Sequence, residues 1–176
     1  AIKRLIFEEL MAHHLSLRQK RLAIKAKAAR KISKSPKLLA KFMQTLPFKL
    51  TDAQQRVWLE IQQDMALASP MLRLVQGDVG CGKTVVTALS AVNVIAQGGQ
   101  VALMAPTELL AEQHARTFQT WFQPLGIEVV YLVSKQSTAL RRKNLQRIAD
   151  GAAMVIGTHA LMQEHVQYKN LCLVMV

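Results

Sequence analysis

Cysteine is scarce: Cys81 and Cys172 are the only two in 176 residues. A pair so far apart gives no disulfide framework, which favours a reducing setting and a cytoplasmic protein. Long apolar runs are missing as well. Although 51% of the residues are hydrophobic, no run approaches the ~18 residues of a membrane span, so no membrane association is expected. The opening AIKRLIFEELMAHH has neither the apolar core nor the small-residue cleavage site of a secretory leader. It also has no initiator Met, which suggests a piece of a longer chain. Internal repeats and low-complexity segments are absent. Acidic residues are few at one end only: Ala1 to Lys49 hold 13 Lys/Arg against 2 Asp/Glu, and the rest of the chain 10 against 9. Nearly all of the net charge of +12 therefore sits on an N-terminal arm. Such an arm fits a polyanion partner or a solvated helical face, and no aromatic residues interleave its charges between Glu8 and Lys41 as base stacking would require.

What is present is enough chain for one domain with a real core. Residues 3–31 contain few helix breakers and read as one long, partly exposed helix whose apolar stripe ends after Leu22. KISKSPK (31–37) reads as a linker, 38–46 as a short helix stopped by Pro47, and Thr51 as the start of a helix with Val57, Ile61 and Met65 on one face. From there strands and helices alternate. Strands are expected at 71–76, 100–105, 127–133, 152–157 and 171–176, and helices at 85–97, 107–122 and 137–149. Apolar strands without strict polar alternation are covered on both faces. Alternation with helices implies right-handed crossovers and a parallel sheet. The fold class is α/β, preceded by a helical arm.

GDVGCGKT (77–84) fits the phosphate-loop pattern at Gly77, Gly82, Lys83 and Thr84. Glycines let successive N–H groups converge on an anion, and the helix that follows points its positive end at the same place. Lys83 can neutralise the β and γ phosphates of ATP, and Thr84 can offer its hydroxyl to Mg²⁺. Asp78, Val79, Gly80 and Cys81 complete the nucleotide-binding stretch, with Cys81 read as a small residue tolerated there. An expected strand before the loop and a helix after it supply the context the motif needs.

LPFKLTDAQ (46–54), GDVGCGKT (77–84), MAPTELLAEQH (104–114) and VIGTHALMQ (155–163) follow one another in an order that resembles the first motor domain of bacterial RecG-type DNA helicases of superfamily two. The resemblance implies an incomplete RecA-like phosphate-loop domain over 46–176 and a basic helical connector over 1–45. It implies adenine recognition by Gln54 with Phe48 beside it, although Thr51 and Gln54 also form a T-x-x-Q capping box. Pro106, Thr107 and Glu108 match a motif that lies along DNA in the family, where Thr107 is equally a plain helix cap. Gly157, Thr158 and His159 match another, and Lys135 falls where the family has a glycine-containing loop that LVSKQS lacks. Leu109, Leu110 and Ala111 are expected to face the core. Arg141, Arg142 and Lys143 are either a phosphate patch or a solvated face.

The family carries an acidic pair, D-E-x-H, directly after a strand like LCLVMV (171–176), and this sequence reaches Val176 without it. The expectation is an ATP- and Mg²⁺-dependent motor acting as a monomer on branched or forked DNA. Its wedge domain and second motor domain lie outside these residues, and the 176-residue piece is expected to bind nucleotide without hydrolysing it. The translocase module of the transcription–repair coupling factor has similar motifs and is the alternative. A nucleic-acid-binding module with a vestigial loop is another. A small-molecule kinase would carry an arginine-rich lid, which is not found.

Overall fold

A computed structural model describes residues 2–176, excepting the side chains of residues 2, 3 and 5; Ala1, the first residue of the expected connector, lies outside the described residues. Four parallel strands, β1 (Gln100–Met104), β2 (Val129–Leu132), β3 (Met154–Gly157) and β4 (Leu171–Met175), form one sheet in the order β2-β3-β1-β4. Side chains alternate across it, as the period of two demands. Val101, Leu103, Val129, Met154 and Ile156 join the main core on one face, whereas Val130, Leu132 and Val155 meet Ile148 on the other.

The main core face is covered by α2 (Pro36–Thr45), α3 (Asp52–Met65), α4 (Lys83–Ile95) and α5 (Glu108–Phe122). Nine of the thirteen residues of α4 are buried, because small and apolar side chains surround it on nearly every side. Helix α6 (Thr138–Asp150) covers β2 and β3 on the opposite face through Leu145 and Ile148. At the amino end of the sheet, buried Gln100 saturates its amide. Its Nε2 donates to Ile148 O at 2.9 Å and Ala152 O at 3.0 Å, and its Oε1 accepts from Asn170 N at 2.8 Å. A buried amide with every group partnered avoids the desolvation cost of an orphan.

Helix α1 (Ile2–Lys25) is shorter than the expected 3–31, and every residue from Ile6 to Ala23 is exposed. The stretch after it is irregular, as read from its Ser, Lys and Pro content, yet it is fastened. Ala29 N donates to Ala68 O and Ile32 N to Met65 O, both at 2.8 Å, while Arg30 Nη2 donates to Gln97 O at 2.7 Å. Helix α2 then buries Leu39 and Phe42, the latter edge-on to Trp121 and Phe122.

Two local expectations are corrected. Residues 71–76 have no regular secondary structure and join no strand ladder among the described residues. An apolar run becomes a strand only when a neighbour completes its hydrogen bonds. Here Arg73 is drawn to α3 instead, donating to Asp64 Oδ2 and Glu60 Oε2 at 2.7 Å each, while Leu72 and Leu74 stay exposed. Leu109 and Leu110 do not face the core. Ala111, Ala115, Phe118 and Phe122 form the buried stripe of α5, and the two leucines lie off that stripe, 66% and 39% exposed.

Candidate nucleotide and nucleic-acid site

The phosphate loop curls at the N-terminus of α4. Gly80 and Gly82 take φ of +84° and +83°, a left-handed conformation that residues with a Cβ rarely adopt. Lys83 folds back into the curl, where its Nζ donates to Gly77 O at 2.7 Å and Asp78 O at 2.8 Å. Those are neutral acceptors. An arriving phosphate offers the same ammonium an anionic one, which binds more strongly. The residues present therefore fit the phosphates of a nucleotide. Thr84 is half-buried in the first turn, beside the positive end of the helix.

Gln54 reaches this loop. The capping box of α3 is formed: Gln54 N donates to Thr51 Oγ1 at 3.2 Å, and Thr51 N donates to Gln54 Oε1 at 2.9 Å. The other half of the amide, Nε2, donates to Cys81 O at 2.9 Å. It also fills the space beside Gly82 that a Cβ there would occupy. Phe48 is 44% exposed and meets the edge of Trp121, 6.3 Å between centroids. Cys81 is exposed, as are Asp78 and Val79.

The remaining candidates leave the sheet along one edge. Met104, Gly157 and Leu132 stand in register at the carboxyl ends of β1, β3 and β2. Ala105 N donates to Gly157 O at 2.8 Å, so Pro106–Glu108 and Thr158–His159 emerge side by side. Gly157 is required by the close approach of β2 and β3, since a Cβ there would overlap the Leu132 carbonyl. Thr107 caps α5 by accepting from Leu110 N at 3.3 Å. Thr158 is buried, whereas Pro106, Lys135 and His159 are exposed. Helix α4 packs on β1 and is joined to it by the short turn 96–99. It therefore runs back along the strand and brings the phosphate loop to this same end. In open α/β sheets, ligands bind at the carboxyl ends of the strands.

Sequence reasoning missed Tyr131. Its hydroxyl donates to Glu108 O at 3.3 Å, and its own carbonyl accepts from Gln136 Nε2 and Asn144 Nδ2. It thus binds the start of α5 to the segment after β2. Burial, then the charges of Glu112 and Glu108, pushes its phenol upward. No pattern in the sequence marks a strand tyrosine for this role. Arg141, read as patch or solvated face, donates to Gln163 Oε1 at 2.6 Å and lies 2.8 Å from His165 Nε2, while Arg142 and Lys143 are exposed.

A family model described as DEAD/DEAH box helicase matches residues 51–176. The chain belongs to the DEAD/DEAH box helicase family. Its sheet order and flanking helices are those of a RecA-like α/β domain. Among relatives of this helicase chain, the ATP-dependent DNA helicase RecG of Escherichia coli K12 is 54% identical over 177 aligned positions, covering all of this chain and 26% of that protein. RecG of Haemophilus influenzae is 51% identical with the same coverage of each. The chain spans about a quarter of the length of these curated relatives. A solved structure described as RecG bound to a three-way DNA junction superposes with a TM-score of 0.88 at 40% identity, over 98% of this chain and 24% of that one. The RecG-type resemblance carried by the motifs is thereby borne out. A hypothetical ATP-dependent RNA helicase from Sulfolobus tokodaii, at TM-score 0.54 and 18% identity over 73% of this chain and 35% of that one, shares the fold alone.

Proposed function

We propose that this chain is the nucleotide-binding part of an ATP-driven DNA helicase that remodels branched DNA, such as stalled forks and junctions, in recombination and repair. The observation that carries the reading is the gathering of the phosphate loop and the exits of β1, β2 and β3 at one end of the sheet. Residues 77–84 take the phosphates, with Lys83 on the β and γ groups and the Thr84 hydroxyl toward Mg²⁺. Gln54 and Phe48 lie on the adenine side. Mg²⁺, when bound with ATP, supplies charge neutralisation on the phosphates. Pro106–Glu108, Lys135 and Gly157–His159 are assigned to the DNA backbone, where helix N-termini and hydroxyls position without reading sequence.

The division into a connector, 1–45, and a motor portion, 46–176, is part of the proposal. So are a monomeric state and a cytoplasmic setting; no helix among the described residues is long and apolar enough to cross a membrane. Among the described residues no group of three His, Cys, Asp or Glu side chains converges on a metal position. Positioning and charge stabilisation supply nearly all of phosphoryl-transfer catalysis. The resemblance puts the metal-holding and water-orienting acids and the second motor domain outside these 176 residues, so by themselves they are expected to bind nucleotide and not to turn it over. A steady-state phosphate-release assay with and without forked DNA tests this: no turnover is expected, and DNA-stimulated hydrolysis overturns it. The transcription–repair translocase remains the alternative of the same class. A binding module with a vestigial loop predicts DNA affinity indifferent to nucleotide.

A further inference from the structure

Between Glu9 and Asp52 the sequence has no acidic residue, and from Leu10 to Lys41 it has ten Lys/Arg and no aromatic. All ten are exposed. Only Arg30 donates to the rest of the protein; among the described residues the other nine have no side-chain partner. A run of exposed cations with no acidic residue among them sets up a positive potential that attracts a polyanion. Their placement is ordered. Arg18, Arg21 and Lys25 fall at helical spacing on one face of α1. Lys37 and Lys41 share the face of α2 opposite buried Leu39 and Phe42. Lys31 and Lys34 lie between, on the segment held by the Ala29, Arg30 and Ile32 hydrogen bonds and by Ser35 N donating to Asn93 Oδ1. The second half of the stripe is thus mounted on the motor core rather than tethered to it.

We propose that Leu10–Lys41 is a surface for the sugar–phosphate backbone of duplex DNA. Charge selects a polyanion. The absence of aromatic rings from Leu10 to Lys41 favours a duplex over a single strand, because single-strand grooves add stacking platforms to their cations. Length fits too: the part of α1 within the surface, Leu10–Lys25, at about 1.5 Å per residue spans about 24 Å, roughly two-thirds of a turn of B-form DNA. Contact of this kind is sequence-independent and strongly salt-dependent. The inference rests on the reading of the chain as part of a DNA motor and gives that reading a second, connector-borne contact.

The test is fluorescence anisotropy of the full chain with a labelled blunt duplex about three helical turns long, and with one of its single strands, across a salt series. Two triple variants are compared, Arg18→Gln/Arg21→Gln/Lys25→Gln and Lys31→Gln/Lys34→Gln/Lys37→Gln. All six side chains are exposed, so melting temperatures should match the parent. Each triple should lower duplex affinity at least tenfold at low salt and flatten the log–log salt slope by up to ~0.9 per lost contact. The double variant Arg142→Gln/Lys143→Gln, which removes exposed cations of α6 on the opposite face of the sheet, should change neither. Unchanged slopes in both triples, equal loss in the distant double, or tighter binding to the single strand would overturn the proposal. So would tighter binding to phosphatidylglycerol vesicles than to duplex. Lys83→Ala should leave the slope intact while weakening ADP binding, so failure of the loop reading and failure of this one are separately visible.

Discussion

Gln54 Nε2 donates to the carbonyl oxygen of Cys81 at 2.9 Å, joining the first turn of α3 to the phosphate loop. The same side chain closes the capping box through Oε1. One amide thus reports on two structures, and its neighbours allow the roles to be separated by mutation. Thr51→Ala removes the cap hydroxyl and leaves the loop contact possible. Gln54→Ala removes both. Each should lower stability by about 1 kcal/mol. Only Gln54→Ala should also weaken Mg·ADP binding, by about tenfold if the lost loop and adenine contacts together are worth about 1.4 kcal/mol. Equal weakening by Thr51→Ala in calorimetry would mean that the amide acts through the cap alone.

Gly157 tests whether the motif glycine at the carboxyl ends of the strands is placed by packing. A Cβ there would overlap the Leu132 carbonyl oxygen, a backbone atom that cannot swing aside, and would crowd Leu161 at 3.1 Å. Gly157→Ala should destabilise by about 3 kcal/mol or more, in line with overpacking of a tight core. Gly98→Ala is the contrast: it meets no atom within 4 Å and should cost only what its φ of +72° imposes, about 1–2 kcal/mol. Urea midpoints for the two variants decide it, and a Gly157→Ala midpoint equal to that of the parent removes the packing argument.

Much of this was legible in the sequence, and the reasons differ by element. Helix α4 and strands β1 and β3 were readable because small and apolar residues dominate them between flanking glycines and prolines. The phosphate loop was readable because phosphate binding needs glycines and a lysine at fixed spacing. The failure at 71–76 came from the same rule that succeeded elsewhere: composition marks an extended apolar run, but pairing depends on partners the run does not encode, and Arg73 turned toward Asp64 and Glu60. Leu109 and Leu110 were misplaced because the buried stripe of α5 begins at Ala111 and only helix phase excludes its neighbours. The fastening of residues 29–35 was invisible because it uses backbone groups and Gln97, whose Nε2 donates to Ser33 O at 2.6 Å.

His114 gives a pH signature. It is half-buried in α5, and burial lowers its pKa from the usual 6.5. The unfolded chain therefore takes up a proton at a higher pH than the folded one. The neutral ring's contribution to stability is intact above about 6.5. It is lost progressively as pH falls from there through the lowered folded value. The urea midpoint should drop between neutral and mildly acidic pH, and His114→Gln should drop less. Parallel curves for the two proteins would assign the acid sensitivity to other groups.

The most direct test of the central claim is isothermal calorimetry of Mg·ADP with the chain and with Lys83→Ala. The Lys83 ammonium now rests on Gly77 O and Asp78 O inside a loop built from left-handed glycines. Saturable one-to-one binding by the parent is expected. Loss of a charge-assisted phosphate contact worth about 1.5–3 kcal/mol should weaken the variant roughly tenfold to a hundredfold. Equal affinities, or no binding by the parent at all, would contradict the assignment of residues 77–84 as the nucleotide site.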